Sequence, residues 1–110
     1  MEQRKTIKFK SHLANLILNG EKTTTWRLFD EKESKSGYLV ELINSDTGNK
    51  FAKAEILKVW EKTLGTIDEN DLAGHEKFES EQEMYETYKS LYGDGVDKNT
   101  VVKIIQFKLL

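Results

Sequence analysis

Apolar and polar residues alternate in KTIKFK, where Ile7 and Phe9 sit between lysines, and this period of two predicts a half-buried strand. The period then lengthens. Leu13, Leu16 and Ile17 recur at the spacing that lines one helix face, with Ser11 placed to cap the helix and Asn19-Gly20 to end it. Residues 23–29 return to strand character, because branching at Cβ suits three successive threonines to a pleated surface. DEKESKSG, residues 30–37, reads as a solvated loop. Residues 38–43 are apolar on both faces, as in a sheet covered on both sides. The turn signal SDTGN joins them to a strand at 51–60, making a hairpin. Thr66-x-x-Glu69 has the form of a capping box at a short helical turn. Ser80-x-x-Glu83 repeats that form before a helix whose Met84, Tyr85, Tyr88, Leu91 and Tyr92 share one inward face, closed by Gly93. Residues 100–110, rich in β-branched side chains, form a last strand.

The order β-α-β-β-β-turn-α-β contains no repeat, low-complexity tract or linker. It predicts one domain over residues 1–110, of class α+β: a small β-barrel of about five strands with two short α-helices across its ends. An open α+β sheet uses the same elements.

Composition narrows the chemistry. No cysteine is present, which excludes disulfides, thiolate nucleophiles and thiolate metal sites. Two histidines, His12 and His75, do not make a metal site, and no metal or organic cofactor is expected. Lys and Arg total 17 against 19 Asp and Glu, a net charge of -2. That balance argues against a broad grip on duplex phosphates but leaves room for a local basic pocket. No apolar stretch is long enough to span a bilayer, and MEQRKTIKFK lacks a signal-peptide apolar region. The expectation is a cytoplasmic monomer with no membrane partner.

Candidate chemistry concentrates in GEKTTTWRLFD, residues 20–30. On a strand, Thr23, Thr25, Arg27 and Phe29 share one face, while Thr24, Trp26 and Leu28 share the other and read as core. Lys22 sits at the strand mouth. Arg27 offers a planar fork for carboxylate, phosphate or base acceptors. Thr25 offers a hydroxyl that donates, accepts or attacks. Lys22 offers a positive charge, or a base if burial depresses its pKa. Phe29 offers a surface for stacking on a base. A solvated strand face fits the same pattern. Glu76, in the loop His75-Glu76-Lys77-Phe78, is placed either to serve proton transfer beside Lys22 or simply to be solvated in an acidic stretch. His75 alone suggests no metal. The tyrosines at 85, 88 and 92 read as core.

Gly20-x-Lys22-x-x-x-x-Arg27, after a short amphipathic helix and before a strand, resembles the signature of the ASCH domain family. Leu72-Ala-Gly-His-Glu76-Lys-Phe78, followed by a helix with Ser80 and Glu83, resembles its second block, and Val101-Val-Lys-Ile-Ile-Gln-Phe107 its last strand. The resemblance implies a PUA-like β-barrel with a cleft beside the lysine-bearing helix end, and recognition of RNA or a nucleoside-like small molecule. Lys22, Thr25, Arg27 and Glu76 would line that cleft, with Gly20, Thr23 and Phe29 as further ligand contacts. Some members are amidohydrolases that remove the acetyl group from N4-acetylcytidine. Carried over, their roles fall on Lys22 as base, Thr25 as nucleophile and Glu76, or alternatively Glu79, as acid. A protein-interaction module with an ordinary polar strand is the remaining alternative.

Overall fold

A computed structural model describes residues 5–29, 34–68, 71, 75 and 78–110. The elements follow one another in the expected order: β1 (Lys5–Phe9), α1 (Ser11–Leu18), β2 (Thr24–Leu28), β3 (Leu39–Asn44), β4 (Lys50–Thr63), a 3-10 turn (Leu64–Thr66), α2 (Glu81–Tyr92) and β5 (Val101–Leu109). The strands form one five-stranded sheet in the order β1-β3-β4-β5-β2. Among the described residues β1 and β3 run parallel, and the other pairs are antiparallel. The sheet curls into a half-barrel whose two end strands are β1 and β2.

Strand alternation builds two cores. Ile105 and Phe107 of β5 point to one face, where they meet Phe9, Val40, Leu42, Ala54, Ile56 and Ile17 of α1. Val102 and Ile104 point to the other, where Trp26 and Leu28 of β2 meet Met84 and Tyr88 of α2. The two helices therefore pack against cores on opposite faces of the sheet.

β4 serves both cores through a bulge. Ile56 faces Phe107, but Lys58 already faces Gln106, so Leu57 is an extra residue that reverses the parity of the strand. After it Val59 joins the first core and Trp60 the second. That register carries the strand on to Thr63, past its expected end at residue 60.

Three local expectations need correction. Ser11 is the first residue of α1 and not its cap; Lys10 holds the cap position without a capping side chain. The free amide is met from outside: Asp46, in the β3–β4 turn, accepts a hydrogen bond from Ser11 N–H at 2.9 Å. That bond holds the Asp46 carboxyl below its ordinary pKa. The helical turn expected from Thr66-x-x-Glu69 lies earlier, at Leu64–Thr66, because the Thr66 hydroxyl donates back to the Thr63 carbonyl at 2.9 Å. Glu69 lies outside the described residues. On α2, Met84 and Tyr88 are buried, but Leu91 is 55% and Tyr92 36% exposed. The last turn continues along the helical stripe after the core beneath it has ended. At the other end of α2, Ser80 caps as expected, accepting from Glu83 N–H at 3.1 Å, while the Glu83 carboxylate reaches Glu79 N–H.

One polar anchor fixes the chain after β4. The Asp71 carboxylate is buried and accepts from Lys62 Nζ at 2.6 Å, Trp60 Nε1 at 3.1 Å and Asp68 N–H at 3.0 Å. Burial alone would raise its pKa, but these donors together outweigh burial and the net shift is downward; the same contact raises Lys62. A carboxyl with a depressed folded pKa stabilises the fold above its unfolded value, and that contribution is lost as pH falls through the folded one. Asp71→Ala is expected to lower stability by about 2 kcal/mol, since charged hydrogen bonds are lost and buried donors are stranded. Urea denaturation checks it: the deficit should be full at pH 7 and shrink in acid, below the ordinary carboxylate range.

Candidate functional site

α1 ends in a Schellman turn. Glu21 N–H bonds the Leu16 carbonyl at 2.9 Å and Gly20 N–H bonds Ile17 at 3.1 Å, with Gly20 at φ 79°. A left-handed residue is required there, which gives the glycine of the GEK segment a backbone role. Lys22 N–H adds a bond to the same Leu16 carbonyl at 3.2 Å, so the chain folds back over the helix end. This turn carries Lys22 inward until only 2% of it is exposed.

β2 then places its side chains by register. Thr25 pairs with Ile105 and shares its face, whereas Trp26 pairs with Ile104 and shares the other. Thr25 is 4% exposed and Arg27 half-buried. Arg27 Nη2 donates to the Lys8 carbonyl on β1 at 2.7 Å, and its guanidinium lies 4.9 Å from the Phe9 ring centre. One side chain thus bridges the two edge strands.

Beside that bridge opens a cleft of about 840 Å³, within the range of small-ligand sites. Lys22, Thr25 and Arg27 line it from one side together with Lys8, Lys10 and His12. His75, Phe78 and the polar stripe Glu83, Glu86, Thr87 and Ser90 of α2 line it from the other. The wall between is aromatic. His75 stacks on Trp26 with ring centres 4.2 Å apart, and Tyr88 stacks on Trp26 at 5.9 Å. The Tyr88 hydroxyl and His75 Nε2 are 3.4 Å apart. Among the described residues, Trp26 Nε1 is buried without a hydrogen-bond partner.

Of the residues singled out in the sequence, Lys22, Thr25 and Arg27 come together around this cleft. Gly20, Thr23 and Phe29 are outside its lining. Thr23 is exposed, and its carbonyl accepts from Phe107 N–H at 3.0 Å. Glu76 lies outside the described residues; Glu79 is described, is exposed and is not in the lining. His75 is the residue that sequence reasoning undervalued, since its burial comes from a stack on a distant strand that no local pattern announces. The α2 stripe did carry a signal: Glu83, Glu86, Thr87 and Ser90 recur at helical spacing. Among the described residues no group of three or more acidic or histidine side chains is placed to hold a metal, and no helix is long and apolar enough to cross a membrane.

No family model matches the sequence, and no curated protein matches it. Solved structures do. Protein EF3133 from Enterococcus faecalis V583, of the family model DUF984, superposes with a TM-score of 0.81 at 15% identity, over 100% of this chain and 82% of its own. The ASCH domain from Lactobacillus crispatus JV V101 gives 0.74 at 20% identity, over 96% and 79%. ASCH from Zymomonas mobilis gives 0.68 at 10% identity, over 94% and 65%. The fold is that of the ASCH domains. In this ASCH fold the cleft occupies the opening between the edge strands, roofed by α2.

The Arg27 bridge makes a first test. Lysine cannot reproduce a planar fork that both donates to Lys8 and lies over Phe9. Arg27→Lys is expected to cost about 1 kcal/mol of folding stability. A lowered urea midpoint with an unchanged slope would show it; an unchanged midpoint would mean that the bridge contributes nothing.

Proposed function

We propose that the cleft binds RNA or a nucleoside-like ligand. The observation that carries this is the meeting of three buried polar side chains, Lys22, Thr25 and His75, at one open, aromatic-walled cleft. Lysine is rarely buried this deeply unless it is partnered, and Lys22 is held in place at the cleft by such contacts. Together these groups supply donors and acceptors suited to the carbonyl and ring-nitrogen edge of a base, while the aromatic wall suits its faces. Lys8, Lys10 and Arg27 at the rim suit a phosphate. The ASCH fold shared with the solved neighbours is consistent with the same reading.

A second reading rests on Lys22 and Thr25 lining the same cleft. On it, the protein is an amidohydrolase: Thr25 Oγ attacks the acetyl carbon of N4-acetylcytidine, Lys22 takes the hydroxyl proton, and the C–N bond breaks as the leaving amine gains a proton. Water then releases acetate from the threonine ester. Glu76, the expected acid, falls outside the described residues.

Titration with short single-stranded RNA, followed by tryptophan fluorescence, tests the first reading, because Trp26 is in the cleft wall. Saturable binding should weaken at least tenfold in Lys22→Ala, about 1.4 kcal/mol. The salt dependence should be shallow, with a log–log slope of about -1 to -2, since few phosphates are neutralised. A flat response in both fluorescence and a label-based assay would exclude RNA. Incubation with N4-acetylcytidine tests the second reading: release of cytidine that disappears in both Lys22→Ala and Thr25→Val supports it, and no turnover at high protein concentration removes it.

A further inference from the structure

Phe29 stands where a large apolar side chain is unexpected. It is 61% exposed, directly past the end of β2, with φ at 53°. That left-handed conformation is strained for a bulky residue, which would ordinarily yield the position to glycine or asparagine. The ring is not loose. It meets Tyr92 edge-on with centres 6.1 Å apart, and Tyr92 stacks on Tyr88 at 6.2 Å. Tyr88 in turn stacks on Trp26. A chain of rings therefore runs from the buried wall of the cleft to the surface.

Phe29 lines a second hollow, of about 520 Å³, with Asn99, Thr100, Val101, Glu61 and Lys103. Arg27 lines both this hollow and the cleft. Across the strands, Glu61 pairs with Lys103 and Lys103 with Arg27, which makes a charged row with a small positive excess. The two hollows thus share a wall that carries a guanidinium, and each has an aromatic surface of its own.

We propose that the hollow at Phe29 is a second nucleotide subsite, so that the ligand is a single-stranded oligonucleotide rather than a free nucleoside. This inference rests on the cleft's binding a base. The linking phosphate passes the Arg27 wall, and the flanking base lies on Phe29, whose ring Tyr92 meets edge-on. Asn99 offers its amide to the edge of that base. Stacking needs no particular base, so this subsite adds affinity and strand selectivity but little sequence preference. Glu61 in the row disfavours additional phosphates, which limits the footprint to a short single strand.

The test compares a randomised single-stranded RNA hexamer with the four nucleoside 5′-monophosphates, on the full chain and on Phe29→Ala. The wild-type chain should bind the hexamer at least tenfold more tightly than any monophosphate. Phe29→Ala should weaken the hexamer about five- to a hundredfold, the range for losing one base–aromatic stack, and leave the monophosphates within about twofold. Phe29→Trp should retain the hexamer. Phe29→Gly, which removes the backbone strain as well as the ring, should fold at least as well as Phe29→Ala and bind as weakly. Equal affinities for hexamer and monophosphate, or a Phe29→Ala chain that loses neither or both alike, would overturn the second subsite while leaving the cleft standing. Binding of neither probe by the wild-type chain would overturn both.

Discussion

A curled sheet of five strands has two edges, and an edge is a row of backbone donors and acceptors seeking partners. Here β1 and β2 approach across the opening and are bridged by the Arg27 side chain, whose guanidinium reaches the Lys8 carbonyl. Full backbone closure would fill the space with hydrogen bonds. A side-chain bridge ties the two edges together and leaves a cleft beside them. The rest of the candidate site depends on this partial closure, because Thr25 and Lys22 are buried against an opening and not inside a sealed barrel.

The two cores frame that opening. One face of the sheet is covered by α1 and the other by α2, and the bulge at Leu57 lets the long β4 contribute to both. The cleft lies where the two packing systems meet: α1 delivers Lys22 through its Schellman turn, and α2 supplies the opposite wall through Tyr88. Side chains on regular elements hold their geometry better than side chains on loops. His75 is the loop contribution, and its stack on Trp26 ties it to the same framework.

The element order was legible because it is written in local periodicity: the lysine-flanked Ile7 and Phe9, the Leu13–Leu16–Ile17 stripe, the Ser80 cap. The inward placement of Trp26 and Leu28 was legible for the same reason, since alternation on one strand needs no knowledge of its partners. What could not be seen was non-local. Ser11 resembles a helix cap, but the capping carboxylate comes from Asp46, 35 residues away. Leu91 and Tyr92 continue a helical stripe, yet periodicity does not say where the neighbouring core stops. Lys22 sits beside a helix stop, and only the path of the turn reveals how deeply it is buried. Phe29 was grouped with Thr25 by alternation, but the backbone leaves the strand at that residue and turns it toward Tyr92.

The chain's two tryptophans allow one spectrum to test whether ligand sits in the edge-strand cleft. Trp26 stands in the cleft wall, whereas Trp60 is outside the lining and has its indole N–H on Asp71. A 15N–1H correlation spectrum recorded during titration with single-stranded RNA resolves both indole signals. The Trp26 signal should move, together with the amides of Lys22 and Thr25, while the Trp60 signal stays in place. Saturable shifts that leave Trp26, Lys22 and Thr25 unmoved and cluster elsewhere on the sheet would contradict binding in that cleft.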